Sequence, residues 1–509
     1  MKWKSFRFLL ILLLLPFIMG QSEGEKASAP AERAMPPGDA KNGKIVYEKR
    51  CVWCHNWDGN GEGPAADGLR PRPRDFTKGK FKIRTTLSGK LPTDRNLFDA
   101  ISNGLHGTGM PAWRNVISDQ EISDVALYIK TFSKKFARWV KKKKGALPEI
   151  EVGPEVASSP ESIEKGKELY LKLECWKCHG KSGKASGPSM PGLQDDWKFP
   201  IRPANFTKPW NLRGGSRRID IYRRFNTGVM GTPMPSFKDQ LDNEKSWHMV
   251  NFIESLSPTK KRPVVEEIVR AVEVEGDIPM EFEDPKWQSA QKYFFPLLGQ
   301  YQIEPRQFWT TIHDVNMKAL HNGEDVAFYF EWDDPTKSPL APNKVYPLQY
   351  RDAFYLQLPL KMPSDPTKKP YFVGGDKKRA AGVWFWESEG MKTVLLKAKG
   401  LFKTKVVGEA TPIETKAAYD DGRWRVIMKR KMQTGNEKEL QIETGKFLPL
   451  SFHAQDGSDG DFGTKRNVST WYWLILEPQI SDTRYAVAGI VFVLVLGLEF
   501  VWIRKQNNS

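Results

Sequence analysis

Cysteine and histidine are scarce in this chain, with four Cys and seven His in 509 residues. Four thiols make at most two disulfides, which excludes a disulfide-stapled scaffold. Carboxylates are also in deficit, with Asp+Glu 61 against Lys+Arg 78 and a formal net charge of +17. So basic a chain would suit nucleic acid, anionic lipid or an acidic protein partner. Long apolar runs are missing except at the two ends, and the mean hydropathy is -0.53, which excludes a polytopic membrane protein. Hydrophobic residues at 39% and aromatics at 12% exclude a mostly disordered chain. No catalytic triad, P-loop or paired-carboxylate motif is present, so the sequence offers no catalysis of its own. At ~100–200 residues per domain, the length allows about three domains.

The two ends indicate a compartment. Lys2, Lys4 and Arg7 precede an apolar run from Phe8 to Met19, which predicts a secretory signal over residues 1–20, the alternative being an uncleaved anchor. Residues 485–503 are apolar except for Glu499 and are followed by Arg504 and Lys505. A helix of that length spans roughly 28 Å, close to the ~30 Å hydrocarbon core of a bilayer. The trailing cations place the short tail on the cytoplasmic side. The expectation is a single-pass protein of the cytoplasmic membrane with its bulk in the periplasm. Nucleic acid is not an expected partner there.

All four Cys fall in two copies of one pattern, Cys51-Val-Trp-Cys54-His55 and Cys175-Trp-Lys-Cys178-His179. C-x-x-C-H attaches c-type haem: the two thiols add to the haem vinyl groups, and the His binds iron from one side. Chance would put His after both pairs with a probability of about 2 × 10⁻⁴ from usage alone, and zinc would need further Cys. The copies lie 175 − 51 = 124 residues apart, and the same offset links Gly63-Pro64 to Gly187-Pro188 and Gly104 to Gly228. It also links Gly107-Thr108-Gly109-Met110-Pro111 to Gly231-Thr232-Pro233-Met234-Pro235. Arg72-Pro73-x-x-Phe76-Thr77-Lys78 matches Arg202-Pro203-x-x-Phe206-Thr207-Lys208 at an offset of 202 − 72 = 130, so the second copy carries six extra residues before it. This is internal duplication. A Met lies 55 residues after each His (110 − 55 and 234 − 179), and a thioether there would fill the sixth position on iron and raise its potential. His106 is a rival ligand near Met110 without a counterpart in the second copy, and His248 is read as structural.

The pattern resembles class I cytochrome c domains over residues 38–134 and 162–257, joined by a charged linker at 135–161. The resemblance implies a small all-α domain around each of two covalent haem c groups. Cys51, Cys54, Cys175 and Cys178 would carry the haems, with His55, Met110, His179 and Met234 on iron. Opening helices would hold Val46-Tyr47 and Leu169-Tyr170, and closing helices would span Asp119–Phe132 and Asp242–Leu256.

From about residue 263 to 484 the pattern changes to alternation, as in Val326-x-Phe328-x-Phe330-x-Trp332 and Trp424-x-Val426-x-Met428. Further strand-like runs occur at Gly382–Trp386, Thr393–Ala398, Phe447–Phe452 and Thr470–Leu476. Many short strands separated by turn signals predict an all-β sandwich. The complete expectation is a multidomain chain: two all-α cytochrome c domains, a β-sandwich and a C-terminal transmembrane helix.

The motifs Ala319-Leu-His321-Asn-Gly323, Phe330-Glu-Trp332-Asp-Asp334-Pro-Thr336, Asp352-Ala-Phe-Tyr, Val383-Trp-Phe-Trp386 and Lys465-Arg-Asn-Val-Ser469-Thr-Trp471-Tyr make this region similar to the haem-b (gamma) subunits of ethylbenzene dehydrogenase-type molybdenum enzymes. The resemblance implies one non-covalent haem b with Met and Lys ligands, and electron exchange with an iron–sulfur subunit. Where the family has Met before Gly-Asp, this chain reads Val373-Gly374-Gly375-Asp376, leaving Met362 as the substitute and Lys465 as the second ligand. His313, His321, Met317 and His453 are further options.

The expected function is a membrane-anchored periplasmic electron-transfer subunit. It would relay electrons between a molybdenum-enzyme partner of the nitrite or nitrate oxidoreductase type and the respiratory chain. Its partners would be molybdenum/iron–sulfur oxidoreductase subunits or soluble cytochromes. The alternative is a dihaem cytochrome c fused to a haem-free carbohydrate- or protein-binding β-sandwich.

Overall fold

A computed structural model describes residues 33–507 apart from 143–144, 343–346, 371–372, 391, 401–402 and 478–481. The signal segment expected at 1–20 lies outside the described residues.

The first unit is built from α1 (Ala40–Arg50), α2 (Val52–His55), α3 (Asp94–Asn103), α4 (Asp119–Thr131) and α5 (Lys134–Lys141). Thr93 and Ser118 start α3 and α4 with reciprocal capping boxes, which satisfy the free backbone donors of the first turn. Helix α1 crosses α4 at Gly43, where a Cβ would lie 2.0 Å from the Asp124 carbonyl oxygen. Tyr47, Phe98, Ile122, Val125 and Ile129 form the core beneath that crossing. Residues 134–141, expected to begin the connector, form α5 instead: Ser133 caps it and Phe136 buries its apolar side.

The second unit repeats the plan with α6 (Pro160–Lys172), α7 (Trp176–His179), α8 (Arg218–Thr227) and α9 (Asn243–Ser255). Gly166 takes the place of Gly43, with a Cβ 2.1 Å from the His248 carbonyl oxygen. Tyr170, Tyr222, Trp247, Val250 and Phe252 fill its core.

The third unit, with a short helix α10 (Pro285–Ser289), contains fourteen strands among the described residues. They are β1 (Ile268–Glu273), β2 (Tyr293–Pro296), β3 (Leu298–Gly299), β4 (Asp314–His321), β5 (Asp325–Asp333), β6 (Ala353–Pro359), β7 (Ala381–Glu387), β8 (Thr393–Ala398), β9 (Thr404–Val406), β10 (Glu414–Asp420), β11 (Arg423–Lys431), β12 (Phe447–Gln455), β13 (Asn467–Val468) and β14 (Tyr472–Leu476). Their main path runs β10-β11-β5-β4-β1-β14-β12-β6-β7-β8-β9. Register follows the apolar alternation: Trp424, Val426 and Met428 of β11 sit opposite Trp332, Phe330 and Phe328 of β5. Strands remote along the path meet through their side chains, with Trp332 stacked on Phe354 at 4.8 Å and Trp386 against Trp424 at 4.9 Å. The path therefore folds back so that its two halves share one aromatic core, and each buried ring removes a large apolar area from water.

The chain ends in α11 (Asp482–Asn507). Within it lies the 20-residue stretch Val487–Gln506, whose most apolar 18-residue window has a mean hydropathy of 2.2 and is not buried. It is long and apolar enough to cross a membrane.

Candidate haem centres

In each cytochrome unit a helix delivers the Cys-x-x-Cys-His segment and a loop from further along the chain fixes the His. His55 Nδ1 lies 3.1 Å from the Arg74 carbonyl, and its ring stacks on Phe76 at 4.5 Å. His179 Nδ1 lies 2.9 Å from the Ala204 carbonyl, and its ring stacks on Phe206 at 4.4 Å. A carbonyl only accepts, so Nδ1 carries the hydrogen and Nε2 keeps its lone pair, the tautomer a metal needs. Burial lowers His55 to about 4, against the opposing effect of the Arg74 carbonyl, and burial also lowers His179, against the Ala204 carbonyl, so burial favours the neutral ring at both sites. Asp75 and Asn205 hold the two loops in one shape, each accepting from the backbone N–H at 2.9 Å and the hydroxyl at 2.6 Å of Thr77 and Thr207.

The Met loops are also superimposable in their bonds. Leu105 N–H donates to the Met110 carbonyl at 3.0 Å, and the Thr108 hydroxyl caps the Leu105 carbonyl while accepting from Met110 N–H. Val229, Thr232 and Met234 repeat the arrangement, with Val229 N–H donating to the Met234 carbonyl at 3.1 Å. Gly104 and Gly228 enter these loops at φ 66° and 65°, where a side chain would meet the backbone of residues 111–112 and 235–236. Cys51 and Met110 pack against one apolar cluster, and Cys175 and Met234 against its counterpart. The donor set in each unit, two thiols, a neutral imidazole with a free Nε2 and a thioether, fits covalently held haem. His106 is exposed on its turn, and His248 is buried with Nδ1 2.7 Å from the Ser162 hydroxyl.

The β unit does not bring its candidate pair together. Lys465 Nζ donates to the carbonyls of Asp459 at 2.9 Å and Gly460 at 3.2 Å and pairs with Asp461. That places it beside the Ala353 end of β6, where Ala353 pairs with Gln455. Met362 follows Pro359 at the other end, and six strand steps at ~3.3 Å put about 20 Å between those ends. Met362 and Lys465 are thus anchored at opposite ends of β6, and Lys465 already has protein partners. Met317 lies within the main core, His321 Nε2 bonds the Glu477 carbonyl at 2.9 Å, and His313 is exposed.

Sequence reasoning missed a buried acidic cluster in the same region. Asp334, Asp352 and Asp456 bring carboxylate oxygens within 4.8 Å of one another. Asp352 is held by Ser338 N–H, Gly457 N–H and Trp424 Nε1 at 2.7–3.0 Å. Burial and the neighbouring Asp456 push Asp352 up to about 7, and burial pushes Asp461 up to about 8. The acidic edge here receives the second cytochrome unit: Arg202 bridges Asp456 and Asp459, and Lys208 bridges Asp314 at 2.9 Å and Asp333 at 3.0 Å.

The family profile described as "Cytochrome c" matches residues 163–257, and that described as "Cytochrome C oxidase, cbb3-type, subunit III" matches residues 38–129. The chain is thus a haem protein of electron transport that carries cytochrome c domains, and such domains imply covalent haem c. Among individual proteins, it is 27% identical over 253 residues to a candidate respiratory nitrate reductase haem subunit of Haloferax mediterranei, covering 49% of this chain and 88% of that one. It is 27% identical over 105 residues to the chlorate reductase gamma subunit of Ideonella dechloratans, covering 19% of this chain and 41% of that subunit. A solved chain of the reducing HAO-like protein complex of Kuenenia stuttgartiensis is 37% identical and matches 44% of this chain and all of its own, with a TM-score of 0.41.

Proposed function

We propose that the chain is an exported electron-transfer subunit held to the cytoplasmic membrane by α11, with its bulk in the periplasm. Two haems would be attached through Cys51/Cys54 and Cys175/Cys178, with His55–Met110 and His179–Met234 on iron. Haem held by these residues would supply reversible one-electron chemistry, and an imidazole with a thioether on each iron would leave no position for a substrate. The residues orient the imidazoles, keep them neutral and exclude water; the two-sheet, sandwich-like β unit docks the second cytochrome unit through Arg202 and Lys208. The electron partner would be a molybdenum/iron–sulfur oxidoreductase of the kind to which the similar nitrate and chlorate reductase subunits belong. The observation that carries the reading is the identical His cradle, carbonyl on Nδ1 and Phe on the ring face, built twice.

A pyridine haemochrome assay with a redox titration tests it. Two covalent haems per chain and two high-potential waves are expected. Fewer than two covalent haems, in fully loaded protein, would sink the proposal. A third haem released by acid–acetone would place haem b in the β unit, and Met362→Ala and Lys465→Ala would then test its ligands.

A further inference from the structure

The duplication shows one face of the cytochrome unit in two states. Phe76, Thr77 and Lys78 correspond to Phe206, Thr207 and Lys208, and Phe132-Ser133 to Leu256-Ser257. In the second unit this face is covered. Lys208 is 8% exposed and sits between Asp314 and Asp333 of the β unit, Asn205 donates to Asp333 at 3.2 Å, and the chain passes from Ser257 into β1.

In the first unit the same face is covered only at one side, where Trp197 and Asp196 of the second unit meet Asp75 and Lys80, and the rest is open. It forms a groove of about 510 Å³ lined by Lys78, Lys80, Lys134, Lys135, Arg138 and Phe132, among others. Lys80 is paired with Asp196, but Lys78, Lys134 and Lys135 are exposed and have no carboxylate partner among the described residues. Helix α5, which supplies three of these cations, has no counterpart between α9 and β1 among the described residues. The groove reaches the haem centre: Phe132 packs on Phe76 at 6.2 Å, and Phe76 stacks on His55.

We infer that this groove docks an acidic protein, a redox partner presenting clustered carboxylates to Lys78 as Asp314 and Asp333 do to Lys208. The inference rests on the haem reading for its role in electron exchange, though not for the binding itself. The chain's own answer to the equivalent lysine is a pair of protein carboxylates, which favours an acidic protein over lipid. Concentrated positive charge at a concave site also accelerates encounter with an acidic surface in a salt-dependent way.

The test uses the full-length protein in detergent and a fluorescein-labelled decaglutamate probe at low salt. Lys78→Glu/Lys134→Glu/Lys135→Glu is expected to weaken binding tenfold or more. Lys397→Glu/Lys403→Glu/Lys405→Glu, the same charge change around the exposed β8–β9 hairpin, is expected to weaken it less than twofold. Equal weakening by both variants, or none by the first, overturns the inference. So does a larger effect of the groove variant on phosphatidylglycerol vesicles than on the peptide, which would make the groove a membrane contact. If the triple variant misfolds, Lys78→Gln with Lys135→Gln is read in its place, with a threefold loss expected and no loss overturning the inference. Haemochrome counts on the same samples separate the two readings, because missing covalent haem defeats the haem proposal while groove binding is still measured.

Discussion

The two cytochrome units share their chemistry-bearing parts and differ in what connects them. Cys51 N–H bonds the Tyr47 carbonyl at 2.8 Å, whereas Cys175 N–H bonds Tyr170 at 3.1 Å across one additional residue. The chain absorbs that residue by turning Glu174 to φ 57°. The six-residue insertion of the second copy has a larger effect. It includes Trp197 and Phe199, whose rings receive the Arg74 and Arg72 guanidinium groups of the first unit, each at 4.5 Å. Trp197 also packs on Gly231 at the start of the Met234 loop, where a Cβ would lie 2.7 Å from the ring. Duplication copied the haem cradle, and divergence then adapted the surfaces that join one unit to the next.

If the cradles are equivalent, removing either thioether should have the same large effect. Met110→Ala and Met234→Ala are each expected to lower one haem potential by on the order of 0.1–0.3 V, within the ~0.8 V that axial ligation spans. A potentiometric titration in which both variants move the same wave, or neither moves any, would break the equivalence. The next largest contrast is between the covered and open lysines. Lys208→Ala leaves Asp314 and Asp333 buried without their shared cation and is expected to cost about 3–5 kcal/mol. Lys78→Ala, on an exposed side chain, is expected to change stability by less than about 0.5 kcal/mol. Denaturant melts giving similar losses for both would show that the two faces are not in different states.

The β unit should differ from both cytochrome units in its response to pH. Asp352 and Asp461 are raised to about 7 and about 8, above their unfolded values near 4. Between those limits the folded state holds protons that the unfolded chain has released, so the stabilisation is complete below about pH 4 and is lost as pH rises through 7–8. Calorimetry should show the melting temperature of the β unit falling by several degrees from pH 5 to 9. Asp352→Asn should flatten that slope; a slope unchanged by the variant would remove Asp352 as its source.

What could be read from the sequence follows from what kind of group does the work. Thioether attachment and iron ligation need particular side chains at particular spacings, so Cys51, His55, Met110 and their copies could be singled out as candidates from the sequence. Strand Thr393–Ala398 and helix Asp119–Thr131 also match the apolar periodicity to within a residue. The Arg-Pro-x-x-Phe-Thr-Lys repeat was visible, but its role was hidden, because the atom that fixes each His is a backbone carbonyl, which any residue carries. Asp334, Asp352 and Asp456 were not legible as a cluster, since 352 − 334 = 18 and 456 − 352 = 104 residues separate them and only the fold closes those gaps. Met362 and Lys465 were paired by family position alone, a signal that says nothing of where along β6 each side chain is anchored.

The smallest expected effect isolates what the insertion added. Trp197 Nε1 donates to Asp75 Oδ2 at 3.2 Å, and Asp75 also holds the Thr77 turn beside Phe76 and His55. Trp197→Phe keeps a smaller ring near Arg74 but removes that donor and part of the packing beside Gly231, so a loss of about 1–2 kcal/mol is expected. Trp197→Ala also loses the cation–π contact and leaves a void beside Gly231, so its loss should be larger by about 2 kcal/mol or more. Each is measured on the unfolding of the paired cytochrome units. If Trp197 were merely filler at the seam, Asp75→Asn would leave the Trp197→Phe loss unchanged, and both Phe and Ala would cost only the volume they lack. A Trp197→Phe loss that shrinks in the Asp75→Asn background would show that the insertion bonds the second unit to the loop that holds the first histidine.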